Sequence, residues 1–167
     1  MNVFQFMLQN RNEVVELTLE HLWMVAASTL LAVLIGVPLG ILITRWPGLN
    51  KPVLGSANIF QTIPGLALFG FLLSVPWIGA RAERLAILDL TLCALLPVIR
   101  NTYAGIKGVD ASVLEAGRAM GMTGRQLLFQ VELPLALGVI IAGVRVATVI
   151  SVGLATIAAA ILSLIHI

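Results

Sequence analysis

Long apolar blocks separated by polar joints set the pattern of this chain, and within a block the apolar residues run on without an amphipathic period. Runs of about twenty such residues are what a helix needs to cross a bilayer core of about 30 Å. Four blocks approach that length. Leu22 to Thr44 is the cleanest and is closed by Arg45; a polar connector, "RWPGLNKP" (45–52), leads to a second from Leu54 to Ile78. "RAER" (81–84) precedes a third, Leu85 to Ile99, and the fourth runs from Pro134 to Ile161. The predicted fold class is all-α, a polytopic membrane helical bundle over 22–161. Residues 1–21 are mixed, with Arg11, Glu13, Glu16 and Glu20, and lack the cationic start and cleavage site of a signal peptide. They read as an outside, interfacial segment.

Between the third and fourth blocks lies a polar interval, 100–133, far longer than a simple joint. "SVLE" (Ser112 to Glu115) has the form of a capping box and predicts a short helix from about Val113. Gly121 suits a left-handed helix-ending position. "TGRQ" repeats the device: Thr123 caps, Gln126 reaches back, and a second helix follows through Leu127, Leu128 and Val131. Pro134 then sits where a missing N–H does least harm. The interval is a helix–Gly–helix elbow at the membrane face. Its Ala116, Gly117 and Ala119 offer a small-residue surface for close approach by another protein. An amphipathic hairpin resting on lipid is the competing reading.

Composition agrees: 59% of the residues are hydrophobic and 11% charged, against about a quarter charged in soluble domains. The placement of the charges carries more than their sum. With the long interval in the cytoplasm, the inner segments hold Arg45, Lys51, Arg100, Lys107, Arg118 and Arg125, and the outer ones Arg11, Arg81 and Arg84. Six against three favours an outside N-terminus and an inside elbow.

Several polar groups fall at membrane depth. Gln61, Thr62 and Pro64 interrupt the second block, and irregular polar backbone there is tolerated only against protein or a water-filled cavity. Arg145 lies about 16 Å past Pro134 at the helical rise, where a charge is costly unless paired or hydrated. Asp89 is one possible partner for it. Gln61, Thr62, Pro64 and Arg145 are the candidates for a translocation path. Gly36 and Gly40 form a G-x-x-x-G around Pro38 and point to a kinked packing helix rather than a gate.

The elbow also resembles the "EAA" loop of ABC-importer permeases, the binding-protein-dependent inner-membrane components. The matching positions are Glu115, Ala116, Gly117, Gly121, Val131, Leu133 and Pro134, with Gly117 where the family most often has a second Ala. "QTIPGLALFGFL" (61–72), "LLPVIRNTYAGIKGVD" (95–110), "EAGRAMGMTGRQLL" (115–128) and "VELPLALGVIIAGVR" (131–145) are similar to the osmoprotectant subfamily, which carries glycine betaine, choline, carnitine or proline betaine. The departures are Cys93, in place of an aromatic, and Asp89 within the third block. The resemblance implies that Glu115, Ala116, Gly117, Gly121, Leu133 and Pro134 form an ATPase-coupling site. It implies a cytoplasmic ABC ATPase dimer holding the ATP and Mg, a second permease subunit, an extracytoplasmic binding protein and a multi-pass place in the bacterial inner membrane.

After "GLATIAAAI" that family continues with a Gly-rich stretch and at least one more span. Here "LSLIHI" (162–167) follows, resembling the in-frame translation of a sequencing-library transposon end, and it is read as a non-native tail. No function is assigned to His166, and His21 reads as interfacial. No G-x-x-x-x-G-K-[ST] is present, nor a Ser/His/Asp set or metal-spaced cluster, so no catalytic residue, metal or cofactor is assigned to this chain. No nucleic-acid partner is expected. With one Tyr and three Trp, an aromatic cage for a quaternary ammonium belongs on a separate binding protein. A permease for an amino acid, or a membrane scaffold that docks a partner without transport, are the alternatives.

The charge distribution is directly testable. Single cysteines at Gly108 and Thr123, in a chain lacking Cys93, should resist a membrane-impermeant thiol reagent in intact cells and react after permeabilisation. Labelling of intact cells would invert the topology.

Overall fold

The computed structural model describes residues 10–62, 67–68, 70–71, 74 and 82–165. Every regular element among them is a helix: α1 Arg11–Arg45, α2 Pro47–Thr62, α3 Ala82–Lys107, α4 Ala111–Ala119, α5 Gly124–Leu127 and α6 Leu133–Ile165, with a π-helical turn, Leu128–Glu132, joining the last two. Three segments among the described residues are long and apolar enough to cross a membrane: Arg11–Arg45, Arg84–Lys107 and Gly124–Ile157. The second apolar block, 54–78, opens in α2 and continues largely outside the described residues. Most of the "LSLIHI" stretch extends α6, while His166 and Ile167 lie outside the description.

Two boundaries differ from the sequence reading. The helix of the first block begins at Arg11 rather than Leu22, because Glu13, Glu16 and Glu20 are good helix formers and nothing near Leu22 breaks the turn. Its 35 residues extend about 52 Å, about 20 Å more than the hydrocarbon core needs, so the acidic turns stand clear of it. The connector 45–52 is also mostly helical. Trp46 alone leaves the helical region (φ −120°, ψ 88°), and α2 restarts with Pro47 at its first position, where proline's fixed φ is favourable and its missing N–H costs nothing.

α3 is the core of the bundle: two thirds of its apolar window is buried, against 28% for α1 and for α6. Residues in contact give the directions. Val25 of α1 packs with Leu90 of α3 and Ala155 of α6; farther along, Ala32 packs with Ala94, Val98 and Ala147. At the end where α1 terminates, Ile106 meets Ala136 and Ile140, with Val37 and Ile41 beside them. Residue numbers rise together on α1 and α3 and fall on α6. α1 and α3 are therefore parallel, and α6 is antiparallel to both.

A parallel pair requires the intervening chain to return from one end of the bundle to the other between Arg45 and Ala82. α2 begins that return along α3: Asn50 Nδ2 donates to Tyr103 Oη at 2.9 Å, and Arg100 donates to Asn58 Oδ1 at 3.5 Å. Arg45, Lys107, Arg118 and Arg125 consequently gather at the end that carries α4 and α5, and Arg11 and Arg84 lie toward the other.

Missing side chains set how closely the helices approach. A Cβ at Gly40 would stand 2.5 Å from Thr102 Cβ and 3.1 Å from the Ile99 carbonyl oxygen; one at Gly36 would stand 2.8 Å from Val98 Cγ1. On the other flank a Cβ at Gly143 would meet Asn101 Cβ at 2.5 Å and the Pro97 carbonyl at 3.0 Å. The G-x-x-x-G is thus a packing surface, in keeping with small residues letting membrane helices meet backbone to backbone. Hydroxyls in the bundle turn back on their own helices, as Thr91 does to the Ile87 carbonyl at 2.6 Å and Thr148 to Val144 at 2.9 Å. Thr29, Thr102 and Ser151 are different: their buried hydroxyl oxygens have no partner.

Gly40→Ala should therefore lower the stability of the purified protein by about 1–3 kcal/mol through overpacking. Gly138→Ala, where nothing lies within 4 Å, should be neutral or stabilising by up to about 1 kcal/mol. Thermal unfolding in detergent compares the two, and equal midpoints would refute the close-packing argument.

Candidate functional site

The elbow is built from three helix-end devices in succession. Asp110, not Ser112, caps α4: its carboxylate accepts from the Ser112 N–H at 2.9 Å, and α4 starts at Ala111. An aspartate caps as well as a serine and adds a negative charge that the helix N-terminus favours, so the earlier residue takes the position. The bonds from the Ser112 backbone and then its side chain hold the Asp110 carboxyl below the usual aspartate range. Glu115 is thereby released from capping and lies exposed in α4.

α4 closes in a Schellman motif. The Met122 N–H reaches the Gly117 carbonyl at 3.1 Å and the Gly121 N–H reaches Arg118 at 2.9 Å, with Gly121 at φ +82°. Thr123 then opens α5 with the expected reciprocal box: its N–H donates to Gln126 Oε1 at 2.8 Å, and its Oγ1 accepts from the Gln126 N–H at 3.4 Å. The predicted elbow is present, with its first cap moved by two residues.

One part of the predicted small-residue surface faces inward. Gly117 is buried, and a Cβ there would stand 2.6 Å from Leu127 Cδ1, so it serves the packing of α4 against α5. The outer face of α4 is formed by Glu115, Ala116, Arg118 and Ala119, followed by Met120, which is 76% exposed.

The second elbow helix does not stop before the fourth block. It passes into α6 through the π-helical turn, where the Leu133 N–H bonds to the Leu128 carbonyl five residues back. The extra residue changes which side chains face the bundle. Leu127 and Glu132 are both buried, although five positions along an α-helix separate side chains by about 140° at 3.6 residues per turn. The wider turn brings them to one side, ahead of Ala136, Ile140, Gly143, Ala147, Ser151 and Ala155. Leu133 is half-buried against the Ile106–Ala136–Ile140 cluster, and Pro134 lies exposed in the first turn of α6.

Glu132 is the residue that sequence reasoning missed. Its carboxylate pairs with the Arg45 guanidinium at the last residue of α1 and is 4% exposed. A lone acid in the apolar run "VELPLALGV" was the available signal, since such a group is buried only with a partner.

The path candidates are not brought together among the described residues. Thr62 ends α2 with its hydroxyl donating to the Ile59 carbonyl at 2.7 Å; the backbone of Gln61 is helical, its side chain and all of Pro64 lying outside the description. Arg145 is exposed on α6 and lines a hollow of about 410 Å³ with Ala142, Val146, Val149 and Ile150. Asp89 is buried in α3 with Oδ1 unpartnered. The two are not paired. Arg145 lies two residues from both Gly143 and Ala147, which places it about 200° from the face of α6 that meets α3.

Residues 32–164 match the family described as binding-protein-dependent transport system inner membrane component. The chain belongs to that family. The permease is 42% identical over 165 residues to the osmoprotectant import permease protein OsmW of Salmonella typhimurium, covering 96% of this chain and 76% of that one. It is 46% identical over 149 residues to both the glycine betaine/carnitine/choline permease OpuCD and the choline permease OpuBD of Bacillus subtilis, covering 89% of this chain and 64% and 65% of theirs. Its fold matches that of the MetNI methionine ABC transporter in inward-facing conformations, with a TM-score of 0.74 at 27% identity over 85% of this permease and 71% of that chain. It is an inner-membrane transport component.

Gly121→Ala in the permease should cost about 1–2 kcal/mol by placing a Cβ in the left-handed region, and hydrogen exchange of amides 120–126 should quicken about 5–30-fold. Gly124→Ala, with no positive φ and open space around it, should leave them unchanged. Because the Asp110 pKa is lowered on folding, its capping is present above the ordinary aspartate value of about 3.9 and is lost as pH falls through the lower folded value. Exchange in α4 that is already faster at pH 5 than at pH 7, after correction for intrinsic rates, would contradict that assignment.

Proposed function

We propose that this permease forms half of the membrane path of an ATP-driven importer for a quaternary-amine osmoprotectant of the glycine betaine, choline and carnitine class. The observation that carries the solute class is the identity of 38–46% to relatives named for those solutes. Methionine, named for the MetNI neighbour, is the weaker reading at 27–28% identity. A scaffold role needs no polar groups at membrane depth, whereas Arg145 stands exposed there.

The outer face of α4 suits a protein partner. Ala116 and Ala119 permit close approach, Glu115 and Arg118 add charge, and Met120 adds a flexible apolar contact. In this reading that face seats a separate cytoplasmic ATPase dimer, which holds the ATP and Mg. Gly121 shapes the elbow, and Leu133 and Pro134 open α6 where the elbow runs into it. Gly117 acts from inside by admitting Leu127. A second permease subunit completes the path, for which Gln61, Thr62, Pro64 and Arg145 remain the candidates, and an extracytoplasmic protein delivers the solute to the side where α1 begins.

Proteoliposomes holding this permease with its cognate ATPase and binding protein test the proposal. ATP-dependent uptake of labelled glycine betaine or choline should appear, be competed by the other osmoprotectants and be indifferent to methionine. Glu115→Lys should abolish uptake and ATPase stimulation without preventing membrane insertion. Uptake competed by methionine alone would overturn the solute class; unaltered transport by Glu115→Lys would overturn the docking face.

A further inference from the structure

We propose that the Arg45–Glu132 ion pair is a positioning clasp through which movement of the elbow is passed to α1. The inference rests on the importer reading above but concerns residues to which that reading gives no role.

The two partners lie where a rigid link between the elbow and α1 would serve. Arg45 is the last residue of α1, and Glu132 is the last residue of the π-helical turn, 87 positions later. Among the described residues the elbow is also tied to the bundle by the chain itself and by apolar packing of Leu128 and Leu133 on the Ile106–Ala136–Ile140 cluster, beside Val37 and Ile41. Apolar contacts are non-directional and let one surface slide over another. The charge-assisted bond from Arg45 Nη2 to the buried Glu132 Oε2 is directional. The elbow cannot shift without carrying the end of α1 with it or breaking that bond.

The burial is unequal, which makes the clasp costly to open from one side. The Glu132 side chain is 4% exposed and that of Arg45 39%. Opening the pair strands a carboxylate away from water, while the guanidinium can reach the interface along its own stem. The π-helical turn supplies the aim. Recast as a plain α-turn, the segment would rotate Glu132 by about 100° relative to Leu127 and turn it from Arg45.

The test uses the complete importer in proteoliposomes and reads three quantities: ATPase retained on the permease, stimulated hydrolysis, and solute taken up per ATP. Glu132→Gln keeps the shape and removes the charge; Arg45→Gln does the same from the other side; Arg45→Lys keeps the charge. Both glutamine variants should retain the ATPase and hydrolyse ATP, while uptake per ATP falls about tenfold, within the usual range of coupling between sites. Arg45→Lys should recover most of it. Arg45→Gln should also give less folded protein than Glu132→Gln, because it strands the buried carboxylate. Unchanged uptake per ATP in Glu132→Gln would overturn the clasp. So would loss of the bound ATPase, which would make the pair a fold determinant of the elbow alone.

A measurement independent of transport separates this proposal from the importer reading. Spin labels at Trp46 and Arg125 should give a narrow distance distribution in the parent and in Arg45→Lys, and a broad one in Glu132→Gln. If no solute is transported but the broadening is seen, the importer reading fails while the mechanical tie between α1 and the elbow stands. If the distribution is unchanged, the clasp fails whatever the transport result.

Discussion

Close approach of α1 and α6 to α3 is the constraint on which the rest of the structure depends. In lipid no hydrophobic force drives helices together, so packing at short range must do it. Glycine supplies that range on both flanks, at Gly36 and Gly40 of α1 against Val98, Ile99 and Thr102, and at Gly143 of α6 against Asn101 and Pro97. Once the three axes are fixed in this way, the ends of α1, α3 and α6 fall together. The elbow that joins α3 to α6 then has only a short distance to bridge, and Arg45 comes within reach of Glu132.

The elbow shows how a compact shape arises from local rules. Asp110, Gly121 and Thr123 each satisfy backbone groups that a helix end would leave open. None of the three needs a distant partner. Gly117 beneath Leu127 packs α4 on α5 within the motif, while Leu128, Leu133 and Glu132 orient it relative to the bundle. The apolar and charged groups of the outer α4 face are left open.

Much of this was legible in the chain. The blocks around Leu22–Thr44, Leu85–Ile99 and Pro134–Ile161 are long apolar runs, the strongest sequence signal for a helix in a membrane. Gly121 and the Thr123–Gln126 box are local signals, and both stand as read. What was misplaced depended on competition or on distance. Ser112 lost the cap to Asp110 because two good capping residues lie close together. Gly117 could not be told from Ala116 and Ala119 without knowing which side Leu127 would cover. Glu132 needed both the π-helical step and a partner far away in sequence, neither of which a period of 3.6 reveals. An Asp89–Arg145 pair was plausible by charge and fails by rotation, since the two residues lie on faces that do not meet.

The parallel arrangement of α1 and α3 has a consequence for how the chain is made. The glycine face of α1 is complete once Arg45 has been synthesised, but its partner surface, Val98 to Thr102, follows more than fifty residues later. At about 5–20 residues per second the ribosome takes on the order of 3–11 s to supply it. Throughout that interval α1 stands in the bilayer with its closest-packing surface unoccupied and Arg45 without the acid that will hold it. Assembly of this bundle is therefore a matter of waiting as much as of affinity, and the α1 surface must resist other helices of the membrane until its own third helix arrives.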